Sequence, residues 1–302
     1  MKKIIILTGI AWLFFFSRLY AQPSFWDGPH AYLDQKPPGD TPVVFAPGLL
    51  AEKGYWVGSR VAFTSDGKQF IYGTNTNWFD GRHQKLKYLK FDGKEWTGPT
   101  QLFEFFGTPT FSADNTTLYL SGRNGSIYQT HFSDTGWVKP VEFLKRSYSL
   151  YNFMPTESGH YYVGSNGTWG VRTDFNSWKF SLLAGIGSDT TIHNLGAPLN
   201  SAGFNGDFYI APDESYMIIS AKESATFESE LFISFRNADN TWSVPVSLGP
   251  LINDGTAHRW GAYVSPDRRY LFYTKGTSEK DCTIYWVRFD GLLSKLKASA
   301  HL

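Results

Sequence analysis

The chain has 302 residues, of which 18% are aromatic, with 29 Gly, 15 Pro and one cysteine, Cys282. This composition is typical of many short strands joined by tight turns, because aromatic side chains favour pleated surfaces and Gly and Pro favour turns. A single cysteine excludes an internal disulfide framework, and a net charge of +1 without long charge runs disfavours a nucleic-acid or anionic-membrane role.

The N-terminus has the pattern of an export signal. Lys2 and Lys3 precede an apolar run of 13 residues, Ile4 to Phe16, and Ala21 supplies a small residue at the expected cleavage point. The run is too short to span a bilayer comfortably, so it predicts a signal peptide at 1–21 and no stable membrane insertion. Its removal changes the net charge to −2, and no Cys follows it to carry a lipid anchor. We therefore expect a periplasmic or secreted protein.

A short pattern recurs five times along the rest of the chain. Each copy has an apolar strand, a turn with an acidic residue and a second apolar strand. The turn acids, spaced by 43 to 56 residues, are Asp66, Asp114, Glu157, Asp213 and Asp267. Asp bonds to nearby backbone N–H groups, and a following Gly or Asn accepts positive φ, so the acids are predicted to form hairpin turns. The third copy, Thr156–Gly159, departs from the Ser/Thr-x-Asp pattern.

A second hairpin follows each of the first four. It has a strand, a polar tip and then a tryptophan, which is often followed by proline. The tryptophans are Trp96, Trp137, Trp178 and Trp242. Two hairpins per repeat make a four-stranded antiparallel unit, and about 40–50 residues is the usual length of one propeller blade.

The fifth copy lacks its outer strand, and a matching segment stands at the other end of the chain. Pro42–Leu50 resembles Pro245–Ile252, so the N-terminal segment is predicted to complete the last blade and remove an exposed sheet edge. The sequence thus predicts an all-β, five-bladed β-propeller of four-stranded antiparallel blades. Six blades is the alternative, if Ala184–Asn205 builds another. The predicted divisions are a signal peptide at 1–21, an N-terminal extension at 22–40, the propeller at 41–291 and a C-terminal tail at 292–302.

These repeats resemble the PD40 repeat, a WD40-like repeat found in the periplasmic propeller of the Tol system. Ser265-Pro266-Asp267 followed by Tyr270-Leu271-Phe272-Tyr273 carries the resemblance most clearly, and it extends over about Asp34 to Lys297. The resemblance implies a TolB-type propeller fold. It implies little about function, because one propeller fold hosts many activities.

The sequence contains no recognisable catalytic constellation. It has no Gly-x-Ser-x-Gly elbow, no phosphate-binding Gly-rich loop before a helix and no His-Glu-x-x-His, and its seven His are scattered. We therefore assign no catalytic residues and expect no cofactor and no metal ligand.

A candidate binding site follows from the predicted innermost strands, which line the axis of a propeller. Six residues before each turn acid stand Arg60, Thr108, Tyr151, Asp207 and Gly261. We predict that Arg60, Asp207 and Arg259 converge near the axis. Together with Asn152, His258 and Trp260 they would form a pocket for a polar or anionic ligand, such as a sugar. The alternative is an ion pair that closes the channel, or solvated loop charges.

Three functions remain open at this point. The first is an exported ligand- or protein-binding module, a scaffold whose partner is an envelope protein or a polar carbohydrate. The second is a glycosidase or polysaccharide lyase that uses the propeller rim, which requires two carboxylates roughly 5–10 Å apart. The third is a component of a Tol-like envelope complex, which the resemblance alone implies. None of them involves nucleic acid.

Overall fold

A computed structural model describes residues 24–76, 83–122, 125–165, 179–186, 191–204, 206–222, 228–278 and 280–300. The predicted signal peptide, Trp178 and Asn205 lie outside these ranges. Within them, no helix is long and apolar enough to cross a membrane.

The described strands form five antiparallel sheets, which are the five blades of a propeller, as the repeats predicted. The N-terminal strand is β1 (Val43–Val44). Blade 1 consists of β2 (Trp56–Phe63), β3 (Gln69–Asn75), β4 (Lys85–Phe91) and β5 (Trp96–Glu104). Blade 2 consists of β6 (Phe106–Phe111), β7 (Thr117–Gly122), β8 (Ile127–Ser133), the short β9 (Gly136–Trp137) and β10 (Val141–Leu144).

Blade 3 consists of β11 (Tyr151–Pro155), β12 (Tyr161–Ser165), β13 (Lys179–Ala184) and β14 (Thr191–Asn194). Blade 4 consists of β15 (Phe208–Ile210), β16 (Tyr216–Ala221), β17 (Glu230–Phe235) and β18 (Val246–Ser247). Blade 5 consists of β19 (His258–Val264), β20 (Tyr270–Gly276), β21 (Thr283–Arg288) and β1. Because β14 completes blade 3, the segment from 184 to 205 does not build the sixth blade that was the alternative.

The ring closes as predicted, with a strand from each end of the chain in one blade. Val43 pairs with Trp286 and Val44 with Tyr285, and the Phe45 N–H donates to the Ile284 carbonyl at 2.8 Å. The outer edge of β21 is thereby covered, which removes the strand edge that an open ring would expose.

Aromatic side chains fill the spaces between neighbouring blades. Tyr119 of blade 2 lies 4.9 Å from Phe153 of blade 3, measured between ring centroids, and Phe63 of blade 1 lies 5.8 Å from Phe272 of blade 5. Offset and edge-to-face contacts of this kind bury large apolar areas and add roughly 0.5–1.5 kcal/mol per pair beyond that burial. Part of the 18% aromatic content therefore joins neighbouring blades.

The N-terminal extension packs against blades 1 and 5. The Trp26 indole N–H donates to the Ser65 carbonyl at 2.9 Å, and the Tyr32 hydroxyl donates to the carboxylate of Asp267. Helix α1 (Ala31–Asp34) is a single turn in which Tyr32 and Leu33 have positive φ, and both side chains are buried. This extension therefore adds a second closure to the ring, beside the strand pairing of β1.

Most of the predicted C-terminal tail belongs to a helix. Helix α2 (Asp290–Ser299) follows blade 5 and packs Leu292, Leu293 and Leu296 against the core shared by blades 3 to 5. These leucines recur at helical spacing, so one face of α2 is apolar. This face covers part of the core of blades 3 to 5.

The predicted turns form in the way their residues require. In blade 1 the Asp66 carboxylate accepts from the Thr64 hydroxyl at 2.6 Å and from the Lys68 N–H at 3.0 Å. In every turn the residue after the acid position, which Ser158 occupies in the third turn, has positive φ. The five are Gly67, Asn115, Gly159, Glu214 and Arg268. For Glu and Arg this left-handed conformation costs roughly 1–2 kcal/mol, so their side chains have to compensate through other contacts.

The third turn has a register that differs from the prediction. Gly159 is its left-handed residue, and the Gly159 N–H donates to the Thr156 carbonyl at 3.1 Å, so Ser158 rather than Glu157 stands at the acid position. The missing carboxylate comes from the neighbouring blade, because Glu214 accepts hydrogen bonds from both Thr156 and Ser158. The carboxylate that accepts hydrogen bonds from the third turn thus belongs to the turn of blade 4.

Candidate functional site

A buried ion pair joins blades 1 and 4 near the axis of the propeller. The Arg60 guanidinium of blade 1 donates to the Asp207 carboxylate of blade 4 at 3.0 Å, and the Arg60 side chain is fully buried. Arg60 also reaches the Thr110 hydroxyl and the Ala262 carbonyl, both at 3.4 Å. One side chain therefore bonds to three other blades, and the convergence of Arg60 and Asp207 that the repeat register predicted is confirmed.

An irregularity in β2 brings Arg60 to this position. Between Gly58 and Ala62 the strand contains two more residues than the facing Gly73–Ile71 segment, whereas the corresponding bulge in β19 contains one more. A bulge bends its strand and redirects the side chains next to it. Ser59 has a φ of 73°, and the extra length carries the next residue, Arg60, into the channel.

The carboxylate of Asp207 is engaged on both oxygens. Besides Arg60, it accepts from its own neighbour, the Phe208 N–H, at 2.8 Å and from the Gly261 N–H of blade 5 at 2.6 Å. Burial lowers the pKa of Arg60, and the charge of Asp207 opposes that shift. These contacts match the channel ion pair that was the alternative to an open pocket.

Arg259 does not join this pair. Its guanidinium donates to the carbonyls of Ile252 at 2.8 Å and of Ser229 and Ala257 at 3.0 Å, and its remaining donors go to Asp254. All its donors are used near blade 4, where they hold the loop before β19. The expected convergence of Arg259 on the axis is therefore wrong, because its side chain points between the blades rather than into the channel.

Of the other three predicted site residues, His258 and Trp260 are buried together in blade 5 and Asn152 is buried in blade 3. The His258 ring packs on Trp260 with 4.7 Å between centroids, and Trp260 meets Trp56 edge-on at 6.1 Å. Trp56, Trp260 and Cys282 form a small cluster between blades 5 and 1. Asn152 is buried in the bulge of β11, with a φ of 53°. The tryptophans thus lie between blades, and the ligand-binding role assigned to these residues stays a prediction.

A cavity opens at the rim of the propeller where the five acidic turns meet. Its volume is about 300 Å³. Each turn contributes the residue before its acid position: Ser65, Ala113, Glu157, Pro212 and Pro266. Thr110 belongs to the wall and also contacts Arg60, so the axial ion pair lies beneath the cavity. The sequence pattern predicts these turns, but it does not predict that they enclose a cavity.

Aromatic rings form much of the wall. Phe63, Phe111, Tyr209 and Tyr263 line the cavity, together with Met154. The Tyr263 hydroxyl accepts from the Phe63 N–H at 3.0 Å, and burial raises the pKa of both Tyr209 and Tyr263, so both rings are neutral at ordinary pH. Few polar groups in an apolar, concave surface are the usual lining of a small-molecule site.

Three charges stand at the mouth. The Arg268 guanidinium extends from blade 5 to the Asp213 carboxylate of blade 4 at 3.1 Å and comes within 3.9 Å of Glu157 of blade 3. Burial opposes ionisation of Asp213, but hydrogen bonds from Ser215 and the charge of Arg268 keep the pKa of this carboxyl below its ordinary value. Over the described ranges, no three His, Cys, Asp or Glu side chains are grouped to hold a metal ion.

No protein-family model and no curated protein matches the chain. It is similar to the solved structure of TolB from Acinetobacter baumannii, with 14% identity and a TM-score of 0.45 over 76% of this chain and 54% of that one. The chain thus spans about half the length of that protein. It is also similar to a putative TolB from Agrobacterium tumefaciens, with 13% identity and a TM-score of 0.46 over 80% of each chain.

Enzymes are among the similar structures as well. A periplasmic gluconolactonase of Pseudomonas aeruginosa has 12% identity and a TM-score of 0.41, over 72% of this chain and 65% of that one. Similarities at this level carry no conclusion about activity. The chain is a five-bladed β-propeller, similar to TolB-like propellers.

Proposed function

We propose that this protein is an exported binding module that holds a compact ligand in the axial cavity at the turn rim. The observation that carries the proposal is the cavity itself, to which all five blades contribute one equivalent turn residue. A volume of about 300 Å³ is at the lower end of small-molecule sites and accommodates a single ring with short substituents. The Arg60–Asp207 ion pair lies beneath the cavity and forms the floor of this cup.

Binding is a better proposal than turnover for this geometry. A glycosidase needs one carboxyl that stays protonated and a second that is ionised. At the mouth, Glu157 and Asp213 both face Arg268, and the pKa of Asp213 is lowered rather than raised. Asp207, which the sequence placed near the axis, accepts a hydrogen bond from Arg60 beneath the cavity and is paired with its charge. Each of the three carboxylates faces an arginine instead of an apolar environment.

A ligand screen with one blocking variant tests the proposal. We would measure thermal shifts with a panel of single-ring compounds and disaccharides. A ligand at 100 times its Kd stabilises the folded state by about 2.7 kcal/mol. Ala113→Trp places a large side chain at the mouth from an exposed turn position and should weaken binding at least tenfold.

Ala238→Trp is the matched control, because Ala238 is also an exposed alanine in a hairpin turn but lies at the tip of blade 4, away from the cavity. It should leave the Kd unchanged. Equal binding by the two variants would place the ligand elsewhere on the molecule, and a panel without any binder would overturn the proposal. Loss of binding to disaccharides alone on mutation of Asp207 would instead support the site first predicted from the sequence.

A further inference from the structure

The charge at the cavity mouth is not balanced. Of the five equivalent turn positions at the mouth, four are occupied by Ser, Ala and two Pro, and only the third has an ionisable side chain, Glu157. The cation Arg268 is already paired with Asp213 at 3.1 Å, and its distance to Glu157 is longer, 3.9 Å. The Glu157 side chain is 55% exposed. One carboxylate therefore remains in excess at the entrance.

The floor and the wall add no opposing charge. Arg60 beneath the cavity is matched one to one by Asp207, and the hydroxyls of Tyr209 and Tyr263 are neutral because burial raises the pKa of each. Aromatic faces carry a negative quadrupole, which attracts cations and not anions. The apolar part of a ligand in the cavity would thus lie among aromatic faces of partial negative charge. The unbalanced carboxylate at the mouth would lie above it.

From this arrangement we infer that the axial cavity selects organic cations, specifically primary amines with a compact apolar body, over neutral and anionic compounds of the same shape. The inference rests on the proposed function, since it concerns the ligand of the same cavity. The apolar body lies among the aromatic rings, and the ammonium group faces the Glu157 carboxylate at the mouth. The Arg268 side chain, which projects from a strained left-handed turn position, limits this selectivity by partly neutralising the entrance.

Three probes of equal size test the inference: benzylamine, benzyl alcohol and benzoate, with Kd values measured by isothermal titration calorimetry at low salt. Benzylamine should bind about threefold to fivefold more tightly than benzyl alcohol, the size of one exposed charge pair, and benzoate should bind most weakly. The preference should shrink in high salt, because ions screen exposed charges.

Variants at the mouth separate charge from shape. Glu157→Gln should bring the benzylamine to benzyl alcohol ratio close to one, while Arg268→Gln should raise it. Asp66→Asn is the matched control, because Asp66 is a turn acid that does not line the cavity, and it should leave the ratio unchanged. Equal binding of all three probes would overturn the charge preference but leave the cavity as a binding site. Absence of binding by every probe and by the panel would overturn the proposed function as well.

Discussion

The Glu214 carboxylate of blade 4 accepts hydrogen bonds from the turn of blade 3. We expect these contacts to be one of the largest single contributions to the free energy of unfolding. The Glu214 side chain is 7% exposed, and it accepts from the Tyr162 hydroxyl at 2.8 Å and lies 2.8 Å from the His160 ring nitrogen. It is also paired with Arg236. Charge-assisted hydrogen bonds of this kind are about twice as strong as neutral ones.

The shift in the pKa of Glu214 gives the size of this contribution to the free energy of unfolding. Burial alone would raise the pKa of this carboxyl, but hydrogen bonds from Ser158, Tyr162 and their neighbours lower it from 4.5 to about 2. Because the folded state prefers the ionised form, the contribution is present above about pH 4.5 and is lost as the pH falls toward 2. At about 1.4 kcal/mol per pH unit, it amounts to about 3 kcal/mol at neutral pH.

Glu214→Gln tests this value, since glutamine keeps the length and the left-handed backbone cost, removes the charge and replaces one accepting oxygen with an NH2 group. Free energies of unfolding from denaturant titrations should fall by about 3 kcal/mol at pH 7. The difference between the variant and the parent should shrink by about 2 kcal/mol on going to pH 2.5. Glu157→Gln, the same change at an exposed neighbour, should stay within about 0.5 kcal/mol. A loss below about 1 kcal/mol, or one independent of pH, would refute the reasoning.

Three further substitutions test the closure of the ring by denaturant unfolding. Gly261→Ala should cost more than about 2 kcal/mol, because φ is 65° and an added Cβ would lie 2.7 Å from the backbone of blade 1, whereas Gly255→Ala, with φ 57° and open space, should cost only about 1 kcal/mol. Asp207→Asn should cost about 3–5 kcal/mol by leaving Arg60 buried without its partner, and Arg60→Met in the same chain should recover much of the loss. Trp26→Ala should cost about 3–5 kcal/mol, and a change below 1 kcal/mol would mean that the N-terminal extension is not part of the folded unit.

The fold could be predicted from the sequence because its signals are local. Each hairpin turn is specified by residues within a few positions, such as Thr64 and Asp66, and the strands beside it are short apolar runs that a short window reveals. Repetition of this unit also gave the blade number and the returning N-terminal strand. The register of the repeats further placed Arg60 and Asp207 on one axis, since equivalent positions of a closed ring face each other.

The site depended on features that no short window contains. Arg60 stands six residues before its turn acid, whereas Arg259 stands two residues before the equivalent position. Only the bulges and the packing between blades decided that Arg60 enters the channel while Arg259 holds a loop. The third turn has no acid at the expected position in the sequence. The carboxylate that replaces it, Glu214, is 56 residues from Ser158 and contacts it across a blade boundary. The cavity likewise forms from five turns that are far apart in the chain. Local residue chemistry thus determined the blades, whereas the contacts between blades, which depend on how the whole ring closes, determined where charge and empty space lie.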